Sequence, residues 1–289
     1  MIVSASYRTD IPGFYAGWFL RRLQAGYCRV TNPYGGGTYR VPLAPGDVDG
    51  FVLWTRNLRP LLPDLDRVRA VAPFIVQFTV TAYPRALETS VVAPDEAVEQ
   101  LRDVASRFGS RAAVWRYDPV VFGAGLDADT HVNSFAGLAR MLKGSVDEVV
   151  LSVVHPYRKT RRNLDRAARR HGFAWHDPPA EEKRVLLARL ASVALEHGIT
   201  PTLCSQPELL VPDVGEAACI DARRLAEVAQ RPIKTAEKGN RPGCRCALSR
   251  DIGVYDSCPH GCVYCYAVAD RDRAVARFRA HDPEADVLQ

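Results

Sequence analysis

The sequence lacks an apolar run that approaches the length of about eighteen residues needed to span a membrane. Its first residues, Met1 to Ser6, lack the basic region and the long apolar core of a secretory signal peptide. Cysteine is nearly absent before residue 204, where Cys28 is the only example. Together these absences predict a protein of the reducing cytoplasm without a membrane partner, where clustered thiols favour metal binding over disulfides.

The composition excludes few function classes. The chain has 289 residues, of which 47% are hydrophobic and 25% charged, as in ordinary globular proteins. This length suits one large barrel or two small domains. The net charge of +5 permits an anionic partner without requiring one. The basic stretch Arg158–Arg170 is consistent with phosphate contacts to a nucleic acid, although a solvated helix face is the commoner role of such a stretch.

Short apolar runs alternate with helical patterns along the chain, which predicts an α/β fold with a parallel sheet or a (β/α) barrel. The predicted strands are Ile2–Ser6, Cys28–Thr31, Phe51–Thr55, Phe74–Thr81, Ala112–Tyr117, Glu148–Val154, Ile199–Leu203 and Ile252–Tyr255. The predicted helices are 13–24, 58–68, 94–108, 130–142, 158–171, 180–197 and 221–229. We expect residues 1–230 to form the barrel body and residues 231–289 to form a C-terminal cysteine segment that completes it.

Polar residues collect where the predicted strands end. In a (β/α) barrel the carboxyl ends of the strands form the face that carries the chemistry. Taken singly, each group is explained equally well by turn formation or helix capping as by substrate binding. Several such groups, however, converge on the same rim. We therefore predict substrate contacts from Trp54, Arg56, Arg116, Asp118 and His155.

The strongest local signal is a run of three cysteines, Cys258, Cys262 and Cys265, at CxxxCxxC spacing. Compact cysteine runs supply the ligands of iron–sulfur clusters, and three local thiols leave one iron of a [4Fe–4S] cluster open. The alternative is a structural zinc site with His260 as the fourth ligand. Because zinc hairpins usually pair CxxC motifs, the spacing favours iron and sulfur.

Four further cysteines, enough for a closed metal site, precede this run. They are Cys204, Cys219, Cys244 and Cys246. In extended backbone the Cys-Arg-Cys pair directs both sulfurs to one side, where they can share an ion. An auxiliary [4Fe–4S] cluster and a structural zinc ion both suit the set, whereas Cys204 and Cys219 could also be packing thiols.

The tail resembles the signature of the radical S-adenosylmethionine (SAM) superfamily, with Tyr264 at the aromatic position that precedes the third cysteine. It is also similar to the tail of spore photoproduct lyase-like members. Nearly the whole chain resembles an uncharacterised bacterial family, the domain of unknown function 1848 family. The segments that carry this second resemblance are Ser4–Pro12, Asn32–Tyr34, Trp54–Thr55, Trp115–Pro119 and Asp251–Ala267.

One departure from the superfamily is the position of the motif, which follows the last predicted strand instead of the first. No Gly-Gly-Glu stands where superfamily members hold the amino group of SAM. In a closed barrel the last and first strands are neighbours, so a permuted chain would keep the geometry. On this reading Ser6, Arg8, Thr9 and Asp10 would hold SAM, with Arg8 on its carboxylate and Asp10 on its ammonium.

The resemblance implies an enzyme that cleaves SAM reductively to a 5′-deoxyadenosyl radical acting on an unknown substrate. It implies a [4Fe–4S] cluster, with Tyr264 near the adenine of SAM, and an electron donor such as flavodoxin or ferredoxin. Two alternatives stay open. One is a nucleic-acid-binding protein with a structural zinc or an inert cluster, and the other is a SAM-independent, metal-dependent hydrolase or lyase.

Overall fold

A computed structural model of the chain describes residues 1–288, which form twelve strands and nine α-helices. The strands are β1 (Ile2–Ala5), β2 (Tyr27–Thr31), β3 (Thr38–Pro42), β4 (Gly50–Thr55), β5 (Phe74–Thr79), β6 (Ala113–Val120), β7 (Phe122–Gly123), β8 (Glu148–Val153), β9 (Trp175–His176), β10 (Thr200–Leu203), β11 (Gly215–Glu216) and β12 (Ser249–Asp251). The helices are α1 (Ile11–Phe14), α2 (Ala16–Ala25), α3 (Leu65–Val71), α4 (Pro94–Phe108), α5 (Ala128–Leu142), α6 (Arg158–His171), α7 (Ala180–Glu196), α8 (Ala222–Ala229) and α9 (Arg271–Ala280).

Eight parallel strands form the main sheet, in the order β11-β10-β8-β6-β5-β4-β1-β12. The last strand in sequence, β12, therefore lies beside the first, with Ile2 opposite Ser249 and Ser4 opposite Asp251. Parallel neighbours align their carboxyl ends at one edge of the sheet. The C-terminal segment thus contributes a strand to the same sheet as the body of the chain.

One face of the sheet is covered by helices. Helices α2 to α7 pack their apolar sides on strand residues such as Phe51, Val76 and Trp115. Local signals place these helices as expected. Helix α4 begins at Pro94 with acidic residues in its first turn, and Gly172 ends α6 in a left-handed conformation.

The opposite, inner face is covered by the segment that connects the two edge strands of the sheet. Apolar residues of this face, among them Val52, Ile75 and Val114, pack against Ile220 and against Leu225 of α8. Side chains alternate along a strand, so the next inward residue of each strand lies one step closer to the carboxyl edge. These next residues are Ser4, Trp54, Gln77, Arg116 and Ser152, and they form a polar layer above the apolar one.

Several predicted elements differ in the structure. Strand β2 pairs antiparallel with β3 in a separate two-stranded sheet, so Cys28–Thr31 is not part of the parallel sheet. The strand expected at Ile252–Tyr255 lies just before those residues, because Ser249–Asp251 make the pairing with β1. The helix expected over 58–68 begins only at Leu65, after a 3₁₀ turn that contains Pro63.

Within residues 1–288 no helix combines the length and the apolar character that crossing a bilayer requires.

Candidate metal and cofactor site

The three tail cysteines lie on a turn-rich loop between β12 and α9, at the carboxyl edge of the sheet. Gly261 inside this loop has φ +77°, and a Cβ there would come within 2.5 Å of Cδ of Arg271. Only glycine fits this turn without strain. The loop is held by the segment after β5, since the amide of Ser90 donates to the carbonyl of His260 at 2.9 Å and that of Val263 to Leu87 at 3.0 Å.

His260 fixes the cysteine loop through hydrogen bonds of its two ring nitrogens. Its Nε2 lies 2.7 Å from Oδ2 of Asp10, and its Nδ1 lies 3.4 Å from the carbonyl of Ser90. The side chain is 3% exposed. Because both nitrogens already have protein partners, His260 joins the loop to the start of α1 and is not placed as a zinc ligand.

Arg56, which follows β4, connects the cysteine loop to the sheet. Its Nη1 lies 3.2 Å from Sγ of Cys262 and 2.6 Å from Oε1 of Glu88, and its Nη2 donates to Oγ1 of Thr81 at 2.8 Å. The hydroxyl of Tyr264 donates to the same carboxylate oxygen of Glu88. Burial opposes the charge of Arg56, but Glu88 raises its pKa well above the usual value, so the guanidinium stays charged beside Cys262.

Burial raises the pKa of all three tail thiols, to about 12 for Cys262, where the charge of Arg56 acts in the opposite direction. The thiols are therefore protonated at neutral pH until a metal displaces the protons. All three sulfur-bearing residues are partly exposed. This donor set is the one that iron–sulfur clusters use.

The residues predicted to hold SAM lie between β1 and this loop, and most of them have partners within the protein. Ser6 Oγ donates to Oδ1 of Asp251 at 2.7 Å, and Arg8 Nε pairs with the same oxygen at 2.8 Å. Asp10 accepts hydrogen bonds from the amides of Gly13 and Arg56. The buried hydroxyl of Thr9 has no hydrogen-bond partner in residues 1–288, which is unusual for a buried polar group.

The second set of cysteines converges at the other side of the inner face. Cys204 follows β10 and Cys219 follows β11, and their sulfurs lie 3.5 Å apart. A hydrogen bond from Cys246 lowers the pKa of Cys244 to about 6. Although the bond to Cys219 acts in the opposite direction, the bond to Cys244 and burial raise the pKa of Cys246 to about 11. All four cysteines pack in one cluster on the inner face.

Three of the residues predicted to contact substrate meet in the polar layer of the inner face. Nη1 of Arg116 lies 3.0 Å from Sγ of Cys219, and its other nitrogens pair with Asp118. Arg116 stacks over Trp54 at 5.0 Å from the ring centroid, and the indole nitrogen of Trp54 donates to Oγ of Ser4 at 3.1 Å. His155 lies apart from them, exposed after β8 with its ring against Tyr157.

Helix α6, the basic stretch of the sequence, borders the cysteine loop. Lys159 donates to the carbonyl of Tyr266 at 3.2 Å and Arg162 to that of Ala269 at 3.3 Å, so the start of the helix holds the chain that follows Cys265. Other basic side chains of α6, such as Arg169 and Arg170, are exposed. Lys159 and Arg162 therefore help to hold the cysteine loop in place.

Sequence reasoning missed Glu88 and Asp251. Glu88 lies in a loop with no recognisable spacing to the cysteines, so no local pattern identifies it. Asp251 lies within a segment of the family resemblance, and its position directly before the tail motif was a usable signal. Among the residues described, no three or more Cys, His, Asp or Glu side chains already surround one ion position, so metal binding at either cysteine set requires side-chain rotation.

The comparisons with known proteins agree with the resemblance seen in the sequence. The model of the family described as Domain of unknown function (DUF1848) matches residues 2–267. The chain belongs to this family. No curated protein and no solved structure matches the chain. In this DUF1848 protein the match includes the sheet and both cysteine sets, and it ends before α9 begins.

Proposed function

We propose that this protein binds a [4Fe–4S] cluster on Cys258, Cys262 and Cys265 and acts as a radical SAM enzyme. The observation that carries the proposal is the position of these thiols: they lie at the carboxyl edge of a parallel sheet, with the charged Arg56 directed at one of them. When bound, the cluster would supply the electron that splits SAM into methionine and a 5′-deoxyadenosyl radical, which takes hydrogen from a substrate.

The order of the strands supports a permuted radical SAM-type sheet that is open between its edge strands β11 and β12. In an unpermuted chain the cysteine loop follows the first strand, which pairs with the second. In a permuted chain, the strand that leads into the cysteine loop must still pair with that neighbouring strand. Here β12, which leads into the cysteine loop, pairs with β1 over three residue pairs. The proposal therefore assigns to β1 and its following loop the part that binds SAM.

The chain's own residues perform four tasks in this proposal. Arg56 donates to Cys262 and, together with its partner Glu88, keeps a fixed positive charge beside the thiolates. His260 and Asp10 hold the loop on α1. Ser6, Arg8 and Thr9, the last with an unpartnered hydroxyl, belong to the loop proposed to bind SAM. Trp54, Arg116 and Asp118 form the wall proposed to contact the substrate.

The decisive experiment is anaerobic purification followed by measurement of iron, sulfide and zinc, and then reduction in the presence of SAM. We expect about four irons per chain for the tail cluster and formation of 5′-deoxyadenosine, measured by liquid chromatography. A Cys262→Ala variant should lose this iron and the product.

The matched control is Cys28→Ala, which removes a buried thiol of β2 that belongs to neither cysteine set, and it should keep both. Iron without SAM cleavage would favour the hydrolase or lyase alternative. Absence of iron, with a nucleic-acid affinity that falls steeply with salt, would favour the binding protein.

A further inference from the structure

Four cysteines outside the tail motif converge from three separate parts of the chain. Cys204 directly follows β10, Cys219 precedes α8, and Cys244 and Cys246 lie just before β12. Between 15 and 42 residues separate Cys204 from the other three, yet Cys204 and Cys219 have sulfurs only 3.5 Å apart. Cys244 and Cys246 pack in the same inner-face cluster as these two cysteines.

The sulfurs are also the targets of N–H donors. Nη1 of Arg116 lies 3.0 Å from Cys219, the amide of Ile220 lies 3.3 Å from Cys246, and Nη2 of Arg241 lies 3.6 Å from Cys204. Hydrogen bonds of this kind orient metal ligands. Four thiolates around a divalent ion leave a net negative charge. Two of these three donors are positively charged guanidinium groups, which offset that charge.

The chain around Cys244 is held to the rest of the protein mainly by exposed polar contacts, such as the ion pairs of Arg231 with Asp49 and of Arg245 with Glu216. Most residues from 231 to 245 are exposed, and the segment contributes few apolar side chains to the core. It nevertheless lies across the inner face and leads into β12, so it determines how the tail loop reaches β1. A metal crosslink supplies the folding free energy that such a segment does not obtain from burial.

We propose that Cys204, Cys219, Cys244 and Cys246 bind a second metal centre, a thiolate-held metal that clamps the segment before β12 onto the inner face of the sheet. Binding releases the thiol protons as the metal takes the four sulfurs, with no change of oxidation state. The centre is separate from the tail cluster and does not require that cluster or SAM cleavage.

The test compares the metal content of the wild type, Cys244→Ala and Cys28→Ala after anaerobic purification. The wild type should hold metal beyond the four irons of the tail cluster. About one zinc identifies a single ion, and about four further irons with sulfide identify a second cluster. Cys244→Ala should lose this metal at least tenfold, whereas Cys28→Ala keeps it.

Two further measurements make the result independent of folding defects and of the proposed function. Cys262→Ala should lose the tail iron and keep the second metal. Trypsin should cut the metal-depleted wild type within residues 231–245, where Lys and Arg are exposed, at least tenfold faster than the metal-loaded protein. A wild type without the extra metal, a Cys244→Ala protein that retains it, or equal cleavage rates would overturn the proposal.

Discussion

Asp251 is the residue around which the carboxyl end of β1 is organised. Its carboxylate accepts hydrogen bonds from Ser4, Ser6 and Arg8, as well as from the amides of Tyr7 and Gly253. The carboxylate is 2% exposed, and Arg8 is its only ion-pair partner among the residues that the structure describes. Arg8 therefore positions the loop that the proposal assigns to SAM, whether or not it also contacts the cofactor.

We predict that Arg8→Ala lowers the free energy of unfolding by about 3 kcal/mol, because it leaves a buried carboxylate without its cation. Urea denaturation of the apoprotein measures this loss. The double variant Arg8→Ala/Asp251→Asn, which removes both charges, should regain part of it. A single variant as stable as the wild type, or a double variant that is less stable than the single one, would contradict the prediction.

This result also limits how SAM binding can be tested at Arg8. Loss of affinity in Arg8→Ala alone has two explanations, a missing contact or a displaced loop. Thr9→Val separates them better, because the hydroxyl of Thr9 has no partner within residues 1–288 and valine keeps nearly the same shape.

At the scale of elements, the tail segment and the loop after β1 approach each other closely at Gly253. A Cβ at this position would lie 2.6 Å from Cβ of Ser6 and 3.0 Å from Cγ2 of Thr9. The contact joins the two elements that the proposal places on either side of SAM. By contrast, a Cβ at Gly137 in α5 would meet nothing within 4 Å.

We predict opposite effects for alanine at these two glycines. Gly253→Ala should lower the free energy of unfolding by about 1–3 kcal/mol through overpacking and should reduce the iron content of the purified protein. Gly137→Ala should raise the free energy of unfolding by about 0.5–1 kcal/mol, because alanine favours a helix interior. Denaturant titration of both variants, with iron analysis, checks the pair; destabilisation of equal size in both would contradict it.

For the whole molecule, the residues after the family match complete the packing around the first helices. Phe278 of α9 packs edge-on against Phe14 and Tyr15. Further along, Nε1 of Trp18 donates to the carbonyl of Ala285 at 2.9 Å, and the amide of Arg29 donates to that of Asp286 at 2.7 Å. Chain outside residues 2–267 thus covers the same helices that begin beneath the cysteine loop.

We predict that a chain ending at Ala267 melts about 5 °C or more below the full chain, because Phe14 and Tyr15 lose their cover. A chain ending at Ala280 keeps Phe278 and loses only the later contacts, so its melting temperature should lie between the two. Thermal denaturation followed by circular dichroism measures all three proteins. Equal melting temperatures would show that α9 contributes nothing to the stability of the fold.

Local patterns in the sequence determined much of this protein. Alternating apolar runs and helical patterns predicted the parallel α/β sheet, and helices α4 and α6 have the predicted bounds. The family resemblance was confirmed over residues 2–267. The clustering of the cysteines predicts metal binding, which stays a prediction. These features could be read because they depend on residues that are near one another along the chain.

Only the tertiary structure decided which distant residues meet. The partners Asp10 and His260 are 250 residues apart, and Arg56 meets Cys262 across 206 residues. The pairing of β12 with β1, the crossing of the inner face by the segment before β12, and the positions of Glu88 and Asp251 depend on strand order and on packing against the whole sheet. No local sequence motif predicts such contacts. They close long loops, and the free energy that offsets this closure comes from burial shared among many residues.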